Sequence, residues 1–211
     1  MHFFISVAHS AASKGANKVI GKKSYNEYDL SLPISRAAVE YLKNGNYEAT
    51  LVNSSTLKNK TDIIKRLAKQ QGVEDDYLAL EIHFNSAKAR GTCVLYRTDS
   101  EFSESCAEIM QEVLVKELKR TAYCRAEGRD YMKTDGVIPF PSDFRFTKSG
   151  AQFKLGFFEY LRDSDGECPA IIIEVDGIWA GDWAEQNLGA IAEAVVVGLT
   201  EIEAAYEEED E

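Results

Sequence analysis

The sequence predicts a single α/β domain in which a mainly parallel, twisted sheet of about six strands has helices on both faces. Short apolar runs typical of buried strands alternate along the chain with longer segments of helical periodicity. The chain has 211 residues, which is enough for one domain with a full hydrophobic core. Strands separated by helices favour parallel pairing, so a sheet covered on both faces is expected.

Five segments are predicted as strands, each from a short run of apolar residues. They are residues 3–8, 47–52, 77–82, 92–97 and 170–175. The last of them contains three consecutive isoleucines, which is typical of a strand buried on both faces.

Four helices are predicted from apolar residues that share one helical face. Their expected N-terminal residues are polar side chains that can accept backbone N–H bonds: Ser31, Thr61 or Asp62, Ser100, and Asp182 together with Glu185. Pro33 fits the first turn of the first helix, and Asn44-Gly45-Asn46 is expected to end that helix.

The negative charge is concentrated at the C-terminal end. The formal net charge is -11, and residues 201–211 contain seven acids and no basic residue, which leaves residues 1–200 near -4. This division predicts a domain over 1–200 and a solvated acidic tail over 201–211. This negative net charge argues against binding to nucleic acid, which requires a basic face.

An irregular segment covers residues 121–168, where five glycines occur and no strand or helix pattern is clear. Residues 119–162 carry nine basic and five acidic side chains, about +4 within a negative chain. Two interpretations stay open: a basic wall that binds a substrate with carboxylates, or an ordinary solvated surface.

The N-terminal sequence and the cysteines bear on where the protein is made. No basic residues precede the short apolar start, which predicts that no signal peptide is present, and no run approaches the ~20 apolar residues of a membrane span. Four cysteines without C-x-x-C spacing are expected to be reduced thiols: Cys93, Cys106, Cys124 and Cys168. We expect synthesis in the cytoplasm.

Three residues whose side chains can bind a metal or transfer a proton lie at the ends of predicted strands. His9 follows the first strand, His83 follows the third, and Glu174 lies at the end of the isoleucine-rich strand. Reactive groups of open α/β sheets gather beyond the carboxyl ends of the strands. Each residue alone could be an ordinary polar side chain at a sheet edge, but a carboxylate at the end of an apolar strand is costly to bury without a partner or a task.

Two histidines and one carboxylate are a common catalytic zinc set, with a fourth position left for water. The carboxylate could be Glu27 or Asp29, since both lie after the loop that begins at His9 and just before the first predicted helix. Spacing alone does not separate them.

Four motifs resemble those of the zinc-dependent N-acetylmuramoyl-L-alanine amidases of the amidase-3 family, found in cell-wall hydrolases and phage endolysins. They are Val7-Ala8-His9, Asn26-Glu27-Tyr28-Asp29-Leu30, Glu81-Ile82-His83-Phe84-Asn85-Ser86-Ala87 and Pro169-Ala170-Ile171-Ile172-Ile173-Glu174. The resemblance extends from residue 3 to about residue 200. It departs from the family where Ala8-His9-Ser10-Ala11 replaces Gly-His-Gly-Gly and where Val175-Asp176-Gly177-Ile178 replaces a glycine-aromatic pair.

The resemblance implies that His9, Glu27 and His83 bind Zn²⁺ and that Glu174 is the catalytic carboxylate. The departure after Glu174 makes Asp176 a second candidate carboxylate. It also implies peptidoglycan as the substrate and partner, with neither nucleic acid nor a membrane as a partner. Without a signal peptide, the protein would reach the cell wall or periplasm after phage-type release. Two alternatives remain: another zinc amide hydrolase, carboxypeptidase-like or N-formylglutamate-type, and a non-catalytic wall-binding relative.

Overall fold

A computed structural model describes residues 1–86, 91–98, 100–122, 125–126, 129–130, 136–140, 156–161 and 169–209. The predicted α/β class is confirmed. The central sheet has six strands in the order β4-β1-β5-β10-β6-β9. Their bounds are β1 His2–Val7, β4 Glu48–Val52, β5 Tyr77–Asn85, β6 Cys93–Arg97, β9 Val137–Phe140 and β10 Ala170–Gly177.

The sheet is mainly parallel, as predicted. Strand β1 pairs in parallel with β4 and β5, and β5 pairs in parallel with β10. Strand β6 runs antiparallel to β10 and parallel to β9. The three central strands β1, β5 and β10 therefore bring their carboxyl ends to one edge of the sheet.

Helices cover both faces of the sheet. Their bounds are α1 Glu27–Asn44, α2 Leu57–Gln71, α3 Glu101–Leu118, α4 Gly156–Leu161, α5 Gly181–Gln186 and α6 Leu188–Glu209. One apolar core lies between the sheet and α1, α3 and α6, and a second lies between the sheet and α2 and α4. Ile171 and Ile173 belong to the first core and Ile172 to the second, so β10 is buried on both faces as predicted.

Two small hairpins are separate from the main sheet. Strand β2 Asn17–Ile20 pairs antiparallel with β3 Lys23–Asn26, and β7 Arg125–Ala126 pairs antiparallel with β8 Arg129–Asp130. The β2-β3 hairpin lies between β1 and α1 in the sequence, so it belongs to the loop that the sequence placed after His9.

Two predicted helix starts were wrong because a better cap lies upstream. The first helix begins at Glu27, since the Asn26 side chain accepts a hydrogen bond from the backbone N–H of Asp29. Pro33 thus lies inside α1, where it removes the bond that its N–H would have donated to the Asp29 carbonyl. The second helix begins at Leu57 under a Thr56 cap, and the hydroxyl of Thr61 donates to the Lys58 carbonyl instead. Ser100 caps the third helix as predicted.

The C-terminal region also differs from the prediction. Asp182 and Glu185 lie in the short helix α5, which has no side-chain cap at its start and ends at Gln186, and α6 begins at Leu188. Helix α6 continues through Glu209, so residues 201–209 are helical. Ile202 is buried because it extends the apolar stripe of this helix. The division at residue 200 is therefore not a break in the structure.

Other predictions fall partly beyond the described residues. Cys93 and Cys106 have buried side chains, whereas Cys124, Cys168 and most of the basic segment 119–162 lie outside the described residues. Across the part of the chain that the structure describes, no helix has the length and apolar character required to cross a bilayer.

Candidate metal and catalytic site

His9 lies just beyond the carboxyl end of β1. Its backbone adopts a left-handed conformation with φ 57°, which only a few per cent of non-glycine residues adopt. This conformation turns the chain out of the sheet. Gly15 (φ +75°) packs against the His9 ring so closely that an added Cβ would lie 2.3 Å from Cδ2 and 2.4 Å from Nε2. The backbone and Gly15 together fix the position of the imidazole.

Glu27 is the first residue of α1, and its side chain is buried. Its Oε1 accepts a hydrogen bond from the backbone N–H of Ala16 at 2.7 Å. Its Oε2 lies 3.0 Å from His9 Nε2 and 3.1 Å from His83 Nδ1. The loop before β2 therefore orients the carboxylate so that one oxygen faces both histidines.

Asp29, the competing carboxylate, lies away from both histidines. Its oxygens accept hydrogen bonds from Lys14 Nζ at 2.9 and 3.1 Å, and its side chain is 51% exposed. The structure thus brings Glu27, and not Asp29, between His9 and His83.

His83 lies within β5, two residues before its end, because the strand extends past the predicted limit to Asn85. Its ring is nearly perpendicular to that of His9, with centroids 5.3 Å apart. Nδ1 faces Glu27 and Nε2 faces Glu81 at 2.9 Å. The two ring nitrogens of His83 therefore have different partners.

His9, Glu27 and His83 each offer one ligand atom, and these three atoms all lie within 4.8 Å of one another. Two imidazole nitrogens and one carboxylate oxygen are a donor set suited to zinc. The described geometry therefore fits a divalent metal at this edge of the sheet.

Glu174 lies next to this cluster on the neighbouring strand. It is the register partner of His83 in the parallel pair of β10 and β5, so both side chains project from the same face of the sheet. Among the described residues, its buried Oε2 has no hydrogen-bond partner. A buried carboxylate oxygen without a partner is costly and typical of a functional site.

The protonation of the two carboxyl groups differs because their surroundings differ. Burial raises the pKa of Glu27, but hydrogen bonds from His83 and His9 outweigh burial and hold this pKa at about 2. Burial raises the pKa of Glu174 to about 8; the charge of His83 opposes the rise, and Glu27 and Glu81 add to it. One carboxyl group is therefore ionised and the other retains a proton near neutral pH.

The carboxyl groups around His83 favour its protonated form. Burial lowers the pKa of His83, but Glu81, Glu27 and Glu174 together raise it well above its ordinary value. A protonated imidazole donates from both nitrogens, which matches the contacts to Glu27 and Glu81. A bound metal would replace the proton on Nδ1.

Sequence reasoning missed two buried charged residues behind His83. Glu81 and Lys60 are 3% and 1% exposed, and they form an ion pair of 3.1 Å. Glu81 could have been found, since a carboxylate two residues before His83 in an apolar strand must share its face. Lys60 gives no comparable signal, because a lysine in an amphipathic helix is usually solvent-exposed.

Asp176, the second candidate carboxylate, is engaged elsewhere. Its Oδ1 accepts hydrogen bonds from the backbone N–H groups of Gly177 at 2.7 Å and Gly91 at 3.1 Å. Its Oδ2 lies 2.9 Å from Nη2 of Arg120. These contacts connect the end of β10 to the segment before β6 and to the chain after α3, and Asp176 is not part of the His9–Glu27–His83 cluster.

The fold and the cluster together are typical of hydrolases that use a bound metal at the carboxyl edge of an α/β sheet. The chain belongs to the N-acetylmuramoyl-L-alanine amidase family, whose family model matches residues 4–175. This range includes His9, Glu27, His83 and Glu174. A search of curated protein sequences finds no match.

Solved structures support the fold assignment. The N-acetylmuramyl-L-alanine amidase Ami1 from Mycobacterium smegmatis is similar with a TM-score of 0.70 and 12% identity, over 97% of each chain. An N-acetylmuramoyl-L-alanine amidase from Clostridium difficile 630 has a TM-score of 0.62 and 22% identity, over 95% of each chain. The catalytic domain of the CD27L endolysin targeting Clostridia difficile has a TM-score of 0.62 and 16% identity, over 95% of this chain and 97% of that one. At these identities the likeness establishes the fold alone.

Proposed function

We propose that this chain is a zinc-dependent amidase that hydrolyses the bond between N-acetylmuramic acid and L-alanine in peptidoglycan. In this proposal His9, Glu27 and His83 hold the metal and Glu174 is the general base. The observation that carries the proposal is the arrangement of these four residues. Three metal-binding atoms lie within 4.8 Å of one another. Glu174 is the register partner of His83, and its buried Oε2 has no hydrogen-bond partner among the described residues.

When bound, zinc supplies a Lewis acid for the amide carbonyl and lowers the pKa of a nearby water. The chain provides the rest of the chemistry. Glu174 takes a proton from the attacking water as the new C–O bond forms, and it delivers that proton to the leaving nitrogen as the C–N bond breaks. Its shift to a pKa of about 8 comes first from burial, and a neighbouring cation would bring this pKa down towards the neutral range where proton transfer in both directions is effective.

The substrate is proposed from family membership, because the described geometry supports the proposal of a hydrolytic site but does not identify the bond that is cleaved. The family is that of N-acetylmuramoyl-L-alanine amidases, so the proposed partner is peptidoglycan and the proposed place of action is the cell wall or periplasm. The endolysin domain among the similar structures fits the proposal of phage-type release.

The test is digestion of purified peptidoglycan followed by mass spectrometry of the new ends. We expect glycan chains with free lactyl groups and intact stem peptides that begin with alanine. Chelation should abolish this release, and one equivalent of zinc should restore it. Release of single amino acids would instead indicate another amide hydrolase. Binding to the wall without cleavage would indicate a non-catalytic relative.

A further inference from the structure

We propose that Glu81 and Lys60 form a positioning pair that fixes the orientation and tautomer of His83, so that this histidine presents Nδ1 to the metal. The inference rests on the proposed zinc site and extends it to two buried residues.

The backbone of β5 brings Glu81 behind His83. Side chains two residues apart on a strand project from the same face, and Glu81 Oε2 lies 2.9 Å from His83 Nε2. On its other side, the ring directs Nδ1 at the Glu27 oxygen that also faces His9. A neutral imidazole carries one N–H. If Nε2–H donates to Glu81, Nδ1 retains the lone pair that a metal requires.

Lys60 determines which oxygen of Glu81 remains for His83. Glu81 Oε1 accepts from Lys60 Nζ at 3.1 Å and from the Ser6 hydroxyl at 3.3 Å, which leaves Oε2 to the imidazole. Lys60 also donates a hydrogen bond to the carbonyl of Val7, two residues before His9. The ammonium group thus connects the strand that leads to one histidine with the carboxylate that orients the other.

A role in folding alone explains these contacts poorly. Buried ion pairs add little net stability, because desolvation of two charges offsets their attraction. Glu81 and Lys60 are almost fully buried, on the sheet face where α2 and α4 otherwise pack apolar side chains. An oriented metal ligand is a benefit that apolar side chains of the same size would not supply.

The substitution Glu81→Gln tests the tautomer of His83 directly. The glutamine amide has only one oxygen, whereas Lys60 and His83 each donate to a separate oxygen of Glu81. Lys60 carries a charge, so we expect the amide oxygen to turn towards Lys60 and the NH₂ group towards His83 Nε2. His83 Nε2 must then accept, which places the proton on Nδ1 and blocks the metal. We expect zinc affinity to fall by about 10–100-fold, the range typical of lost partners behind metal ligands.

The double substitution Lys60→Met with Glu81→Gln should restore part of this loss. Without the ammonium group, the amide oxygen of Gln is free to accept from His83 Nε2. Lys60→Met alone leaves the carboxylate in place, so its effect on zinc affinity should be smaller than that of Glu81→Gln. Glu159→Gln is a control, because it also removes a carboxylate from an ion pair with a buried basic side chain, that of Arg97 at 2.9 Å. Arg97 lies at the opposite end of β6 from Cys93, which is the residue that pairs with Glu174.

The experiment measures zinc affinity by competition with a chelator, alongside the melting temperature of each metal-free variant. Support requires a loss of at least tenfold for Glu81→Gln, partial recovery in the double variant, and less than a twofold change for Glu159→Gln. Unchanged affinity in Glu81→Gln, or no recovery in the double variant, would overturn the inference. Wild-type protein that binds no zinc would overturn the proposed function as well.

A second measurement uses the wild-type protein alone and does not depend on any variant folding. Nitrogen-15 NMR of the zinc-loaded chain reports which nitrogen of His83 carries the proton. A proton on Nε2 supports the inference, and a proton on Nδ1 overturns it.

Discussion

Glu174 and His83 are direct register partners across the parallel strands β10 and β5. Because backbone hydrogen bonds of the central sheet set this pairing, the proposed base lies beside a proposed ligand independently of the surrounding loops. His9 and Glu27, in contrast, are positioned by the loop and hairpin between β1 and α1. The site thus combines a rigid half on the sheet with a half whose geometry depends on loop contacts.

Glu27→Gln and Asp29→Asn distinguish the two candidate carboxylates. Glu27→Gln keeps the size of the side chain but removes the charged ligand between the histidines. We expect zinc affinity to fall by more than the roughly 10–100-fold typical of partners behind a ligand. Asp29→Asn should bind zinc as the wild type does, because Asp29 faces Lys14. Isothermal titration with zinc checks both, and loss of binding in Asp29→Asn would exclude our ligand assignment.

Gly15→Ala should damage the metal site, and Gly21→Ala is its control. Both glycines have a positive φ, +75° and +61°, so each substitution adds strain of about 1–2 kcal/mol. Only at Gly15 would the new methyl group collide with the His9 ring, since nothing lies within 4 Å at Gly21. We expect both variants to melt earlier and only Gly15→Ala to lose zinc affinity. Equal zinc affinity in the two variants would show that Gly15 does not position His9.

Glu174→Gln should stabilise the metal-free protein in a pH-dependent way. Burial raises the pKa of Glu174 from its ordinary value of 4.5 to about 8. Between these values the folded chain keeps a proton that the unfolded chain has lost, so stability falls as pH rises through this window. At pH 8 we expect Glu174→Gln to be more stable than wild type by about 1–3 kcal/mol, and at pH 4 the difference should vanish. Urea unfolding in the presence of a chelator measures both, and a pH-independent difference would contradict the assignment.

Two C-terminal truncations test whether the acidic segment belongs to the folded domain. Removal of residues 201–211 deletes the buried Ile202 and the contact of Tyr206 with Phe102, whose ring centroids are 5.6 Å apart. We expect the free energy of unfolding to fall by at least about 1.5–3 kcal/mol. Removal of residues 207–211 alone should change it by less than about 0.5 kcal/mol. Equal stability of the two truncated chains would indicate that residues 201–211 are a solvated tail.

Much of the fold could be predicted because its signals are local. Apolar runs indicated five of the six strands of the central sheet, and the isoleucines of β10 indicated burial on both faces. The start of α1 was misplaced because Pro33 favoured a later first turn, whereas the Asn26 cap and the loop contacts of Glu27 determine it. Strand β9 could not be predicted from periodicity, since its four residues include a proline.

Strand spacing predicted the candidate site only where the site follows the sheet, and Glu27 was predicted from the family resemblance. His9, His83 and Glu174 lie at or near the carboxyl ends of β1, β5 and β10, so the strand-end rule brings them together. The choice of Glu27 over Asp29 depends on the hydrogen bond from Ala16, which no spacing rule reveals. Lys60 was missed because its burial results from how α2 packs on the sheet.

The most direct test of the proposed mechanism is the rate of amide cleavage in peptidoglycan by Glu174→Gln, with bound zinc determined on the same sample. We expect one zinc per chain in both wild type and variant, and a rate at least about 100-fold lower in the variant, as for loss of a general base. Cleavage by Glu174→Gln at the wild-type rate, or full wild-type activity without any bound metal, would contradict the proposal.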